Sequence, residues 1–255
     1  MSVSLALRGI RGGSGVTSLV AALGHALARQ QQRVLLVDVS PDNMLGLHYG
    51  LAADEAAGWA RADLDGHDWR DCAFALDDGL AVLPCGRLAA DEIGAVERLL
   101  RSRPGLWTRR AAALMEAGWD WVVFDVPQRL EAHAVPLPAF DGCDLRLCVT
   151  PVDTAAHVLL QRDPRLAAGD ERILPNRYDP ARRLQRDLMQ LWIARYGARL
   201  VPQPVHEDEA VAEALAGKHP LGLDDAESRA RADVEGLAIW CLARRGDIEA
   251  GGRPR

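Results

Sequence analysis

The chain alternates between short, almost wholly apolar runs and longer stretches whose apolar residues recur three and four positions apart. Val3–Gly9 alternates briefly and runs into a glycine-rich turn, the pattern of a first strand. Thr17 to Gln31 places Leu19, Val20, Leu23 and Leu27 on one face and predicts a helix. Arg33 to Asp38 is a continuous apolar run closed by a carboxylate, as expected of a strand covered on both faces of a parallel sheet. The pattern recurs, with strands expected at Leu80–Pro84, Trp121–Asp125, Asp144–Thr150 and Glu171–Leu174. Helices are expected at Arg109–Ala117, at 180–196 with Leu184, Leu188, Leu191 and Trp192 on one side, and from Ala230 to Arg245. This alternation predicts an α/β fold, a doubly wound, mostly parallel sheet with helices on both faces.

With 255 residues, 49% of them hydrophobic, the chain can bury one large core. Residues 1–250 are expected to form a single domain and residues 251–255 a flexible tail. Arg, Asp or Gly interrupts every apolar run before the roughly 18–20 residues a membrane-spanning helix needs. Met1 to Ile10 has no basic region before its strand, so no secretion signal is expected. The five cysteines form no CxxC pair, and their odd number argues against a disulfide framework. These features point to a cytoplasmic protein. A net charge of −6 argues against nucleic acid as a partner. Lys218 is the only lysine, so chemistry that needs a lysine has one candidate.

The chemistry concentrates at the first strand–helix junction, Arg11-Gly-Gly-Ser-Gly-Val-Thr-Ser18. Glycines at such a junction let successive backbone N–H groups converge on an anion, and the helix N-terminus adds its own unpaired donors. Asp38 ends the second strand and Pro41-Asp42-Asn43 follows it; Asp125 closes a later strand before Val126-Pro127; Asn176-Arg177 follows Ile173-Leu174. In a parallel sheet these strand ends face one crevice, where open α/β folds bind ligands.

The junction resembles the deviant Walker A box of the MinD/ParA-like P-loop class, Lys-Gly-Gly-x-Gly-Lys-(Ser/Thr)-Thr. Gly12, Gly13 and Gly15 match, Ser14 fills the variable place, Thr17 takes the Mg²⁺-ligating hydroxyl position and Ser18 follows. Both lysines are replaced. Arg11 stands where the signature lysine reaches a partner's nucleotide, and Val16 where a lysine touches the β- and γ-phosphates. The resemblance implies ATP and Mg²⁺ as cofactors, with Thr17, Asp38 and Asp125 around the metal, some through water. It implies Asn176 and Arg177 beside the base and Asp38 as the catalytic candidate. Ser40 replaces the second carboxylate of the class's Asp-x-Asp, which positions the attacking water, so slow hydrolysis is expected.

Within the class, the chain resembles the BcsQ (YhjQ) family of bacterial cellulose secretion. The resemblance rests on Leu5-x-Leu-Arg-Gly-Ile-Arg-Gly-Gly13, Pro41-Asp-Asn-Met-Leu45, Gly58-Trp-Ala-Arg-Ala62, Asp65-Gly-His-Asp-Trp-Arg-Asp71, Leu191-Trp192, Val205-His-Glu-Asp-Glu-Ala210 and Trp240-Cys241. It spans nearly the whole chain and is weakest over residues 90–110 and the last ten. It implies a cytoplasmic homodimer that sandwiches ATP and works in cellulose biosynthesis and biofilm formation. The implied partners are a short BcsR-like protein, BcsE and the inner-membrane synthase, with membrane association indirect or peripheral.

Other features carry alternatives. Trp59 and Trp69 lie in the polar stretch Asp54–Asp78 and are the expected protein-binding face. His206 to Glu209 approach the base or ribose, or Asp208 and Glu209 merely start a helix. His48, His67 and His206 lack metal-ligand spacing. The helix from Ala230 is a candidate membrane foot, though Asp233 and Glu235 leave it short of basic residues. The rivals are a positioning ATPase for DNA, septum or pole, a nucleotide-free scaffold, and an iron–sulfur protein using Cys85 and Cys148 at a dimer axis.

Overall fold

A computed structural model describes residues 2–103, 105–127, 140, 142–168, 171–224 and 227–250. The expected tail at 251–255 lies outside the described residues. Seven strands form one sheet: β1 (Val3–Gly9), β2 (Val34–Asp38), β3 (Phe74–Asp77), β4 (Leu80–Leu83), β5 (Trp121–Val126), β6 (Leu145–Pro151) and β7 (Arg172–Asn176). Their spatial order is β3-β4-β2-β5-β1-β6-β7. All neighbours are parallel except the β3–β4 hairpin, which adds an antiparallel edge.

The central strands read as unbroken apolar runs because helices cover both faces. On β2, Val34 and Leu36 enter one core layer and Leu35 and Val37 the opposite one. The first layer lies under α1 (Val16–Arg29) and α9 (Arg229–Glu249), whose Val234, Leu237, Ala238 and Cys241 are buried. The second lies under α2 (Trp59–Asp65), α3 (Ala90–Ser102) and α4 (Leu106–Glu116). A third cluster joins β6 and β7 to α5 (Thr154–Arg162), α6 (Pro164–Ala168) and α7 (Arg183–Tyr196). The short helix α8 is Ala210–Ala216.

Several expectations need correction. Trp59 is fully buried and Trp69 only 9% exposed, so neither presents a protein-binding face. Their polar neighbours point outward while the indoles fill the second core layer. On α7, Leu188, Met189 and Trp192 are buried, but Leu184 and Leu191 are exposed, so the packed stripe is narrower than expected. α7 also starts at Arg183 rather than 180, α1 runs from Val16 to Arg29, and α4 begins at Leu106. The C-terminal helix turns its apolar face onto the core; Ile239 is its one large exposed apolar residue among those described. No helix among the described residues is long and apolar enough to cross a membrane.

Candidate functional site

The chain reverses its strand order at β1, with β2 reached on one side and β6 on the other, and such a switch point opens a crevice at the strand ends. The loop after β1 occupies it. Ile10 N–H donates to Val149 O at 2.9 Å, and Ser14 Oγ donates to Arg11 O at 2.6 Å, which folds the loop back on itself. Gly13 (φ 74°) and Gly15 (φ 83°) adopt the left-handed backbone that a side chain disfavours. Gly15 caps α1, and no side chain caps the helix there and no acidic residue sits in its first turn. The N-terminal amides are therefore open to an anion.

Asn176 closes the loop from behind. Its Nδ2 donates to Ser14 O at 2.8 Å, and a Cβ on Gly15 would stand 2.7 Å from that nitrogen. Arg11 reaches sideways, with Nη2 2.5 Å from Asp153 Oδ2; Asp153 also caps α5 by accepting from Ala156 N–H at 2.8 Å.

Two cavities flank this loop and share Gly13, Gly15 and Ser18. The first, about 770 Å³, is lined by residues 11–18 with Ser40, Pro41, Asp42, Asp125 and residues of α3. Arg11 is its one cationic residue among those described, and the apolar Val16 lines it where a lysine was missed. The second, about 360 Å³, lies between α1 and the segment 205–212, with Asn176, Arg177 and His206 on its wall. Arg177 pairs with Glu207 at 2.8 Å, and His206 Nδ1 lies 2.6 Å from the buried Asp233 Oδ2. Asp208 accepts from Ser228 Oγ at 2.9 Å and Ala230 N–H at 3.1 Å, tying this wall to α9. Ser18 Oγ is 3.5 Å from His48 Nε2, a buried imidazole that desolvation pushes down to about 4.

Asp38 and Asp125 stand in register on adjacent strands, both buried. Burial and the charge of Asp125 hold the Asp38 carboxyl well above the usual carboxylate range. Burial pushes Asp125 up to about 6, against a hydrogen bond from Thr17. Asp125 Oδ2 is buried without a hydrogen-bond partner among the described residues. Two desolvated carboxylates facing each other are costly unless a cation joins them. The described residues contain no group of three or more His, Cys, Asp or Glu side chains suited to a metal cage. A hydroxyl, two carboxylates and an adjoining anion-binding loop fit Mg²⁺, which is commonly held by one or two carboxylates together with phosphate oxygens and water.

The structure thus brings Arg11 to Ser18, Asp125, Asn176 and Arg177 to the two cavities. Asp38 sits one layer behind: Oδ1 accepts from Ser40 N–H and Oδ2 from Leu45 N–H, each at 2.9 Å, and it does not line either cavity. Asp42, not singled out from the sequence, does line the first. Its Pro41-Asp42-Asn43 turn was the available signal. Asp153 and Asp233 gave none, because each meets its partner only through the fold. Cys85 and Cys148 are both buried.

The family model for cellulose biosynthesis protein BcsQ matches residues 1–242. The chain is 37% identical over 246 residues to the cellulose biosynthesis protein BcsQ of Salmonella typhimurium, covering 93% of each chain. In structure it is similar to cobyrinic acid a,c-diamide synthase from Mycobacterium smegmatis with bound ADP and magnesium, with a TM-score of 0.75 and 22% identity over 100% of this chain and 98% of that one. It is similar also to the septum site-determining protein MinD of Pyrococcus horikoshii complexed with Mg-ADP, with a TM-score of 0.70 and 18% identity over 95% of this chain and 98% of that one. These two likenesses establish the α/β fold shared with MinD-type P-loop proteins.

Proposed function

Because this chain belongs to the BcsQ family of cellulose biosynthesis proteins, we propose that it is a cytoplasmic, ATP-binding subunit of a bacterial cellulose secretion system. In this reading bound ATP with Mg²⁺ mainly holds two copies together and is hydrolysed slowly or not at all. The observation that carries it is the pair of cavities sharing one glycine loop, the phosphate side of which is lined by Val16 in place of a lysine.

The open amides of α1 and the glycine loop bind the phosphates, and the cavity at Asn176, Arg177 and His206 receives the base and ribose. Thr17, Asp38 and Asp125 would hold the Mg²⁺, some through water, and the ion would supply charge neutralisation at the phosphates. Phosphoryl transfer depends on positioning and electrostatics, so a cavity whose described lining has one cation and no lysine favours binding over turnover. Arg11 pairs with Asp153 within its own chain; in the dimer it exchanges that partner for the neighbour's nucleotide. The partners of this reading are a BcsR-like short protein, BcsE and the synthase, with recruitment to the inner face of the inner membrane, indirect or peripheral.

Steady-state ATP turnover with an Asp38→Ala control, together with the mass in solution of wild type and Arg11→Ala with and without ATP, tests the proposal. The expected result is an ATP-dependent dimer lost in Arg11→Ala, with turnover near that of the control. Fast turnover abolished by Asp38→Ala, or a wild type monomeric with ATP, would overturn it.

A further inference from the structure

The stretches around Trp59 and Trp69 fold into an aromatic cluster that reaches the candidate cation site. Trp59 stacks edge-on against Trp107 with centroids 5.0 Å apart, and Trp69 against Trp107 at 6.1 Å. The Arg110 guanidinium lies 4.5 Å from the Trp69 ring and 5.1 Å from that of Trp107, and is held at 2.6 Å by Asp63. Gly58 seats α2 against the segment after β4: a Cβ there would meet Gly86 N at 2.1 Å, and Trp59 N–H donates to Pro84 O at 3.0 Å. From this fixed position the Trp59 indole N–H donates to Asp38 O at 2.7 Å.

That bond differs in kind from those that hold the Asp38 carboxylate. The Ser40 and Leu45 amides lie two and seven residues after Asp38 in the same stretch of chain and hold its side chain, whereas the indole holds its backbone oxygen. The indole comes from another element, anchored in the core. Along with Val39 N–H donating to Asp125 O at 3.1 Å, it ties the end of β2 to the rest of the fold. Because Asp38 and Asp125 are register partners at the ends of adjacent strands, the position of this strand end sets the spacing of the two carboxylates.

We propose that Trp59 is a positioning residue, whose indole N–H fixes the Asp38 end of β2 beside Asp125 and so preorganises the cation-binding carboxylates before nucleotide arrives. This rests on the nucleotide-binding reading above. The cluster thereby links the Gly58-Trp59 and Asp68-Trp69 stretches to the site, although neither tryptophan lines it.

The test measures binding of a fluorescent ATP analogue by the full chain as a function of Mg²⁺ concentration, beside thermal stability. Trp59→Phe keeps a ring and removes the donor; 3-benzothienylalanine at position 59 keeps the bicyclic shape and removes only the N–H, which guards against a folding failure. Trp69→Phe perturbs the same cluster without touching Asp38. The Mg²⁺ concentration for half-maximal binding is expected to rise about 3- to 10-fold in both position-59 variants, the range for one lost hydrogen bond. It stays unchanged in Trp69→Phe even where stability falls. Position-59 variants that match wild type in Mg²⁺ requirement, or that differ from it no more than Trp69→Phe does, would overturn the proposal alone. A wild type that binds no nucleotide at any Mg²⁺ concentration would overturn the nucleotide reading and this proposal with it.

Discussion

Asp125→Asn is expected to stabilise the nucleotide-free protein at pH 8 while abolishing its response to Mg²⁺ and ATP. In the fold, burial lifts the Asp125 carboxyl from 3.8 to about 6. A carboxyl raised in this way favours the fold fully below pH 4, and that contribution is lost as pH rises through 6. Above that point the fold carries an ionised Asp125 beside Asp38. The shift of about 2 pH units corresponds to about 3 kcal/mol, or roughly 6–12 °C in Tm for a chain of this size. Asparagine keeps an oxygen for the Thr17 hydroxyl, removes the charge, and also relieves Asp38, whose own carboxyl is raised by burial and by Asp125. Calorimetry in EDTA at pH 5 and pH 8 checks this. The difference between the two pH profiles isolates Asp125 together with its effect on Asp38, since His48, pushed down to about 4 by burial, acts in the opposite direction in both proteins. An Asp125→Asn protein less stable than wild type at pH 8, or one with the wild-type pH profile, would refute the reasoning.

Two further variants probe the loop. Gly15→Ala places a side chain at φ 83° and a Cβ 2.7 Å from Asn176 Nδ2; a loss of about 1–3 kcal/mol by thermal unfolding, with loss of nucleotide binding in a filter assay, is expected. Val16→Lys restores the missing cation within the first cavity, and phosphate release should rise by roughly tenfold or more if electrostatics limits turnover.

The sheet was readable because its strands are buried on both faces, so β1, β2, β5 and β6 stand out as apolar runs against amphipathic helices. The glycine loop was readable for a related reason: its backbone conformation leaves few choices of residue. Other elements were quieter. α3 carries Ile93, Val96 and Leu100 at helical spacing, but Gly94 and its acidic residues dilute the pattern. α8 is only seven residues long. Trp59 and Trp69 misled because composition is local and burial is not; charged residues on the outer face of α2 give no sign of the cluster beneath. Asp153 and Asp233 lie 142 and 27 residues from Arg11 and His206, the groups they hold, and no spacing rule spans such intervals.

In the proposed function, this family member keeps ATP as a bound, largely unhydrolysed component. The most direct test is to purify the protein without added nucleotide, denature it, and identify what is released by ion-exchange chromatography. Intact ATP in near-stoichiometric amount is the predicted result; ADP in its place, or no nucleotide at all, would contradict it.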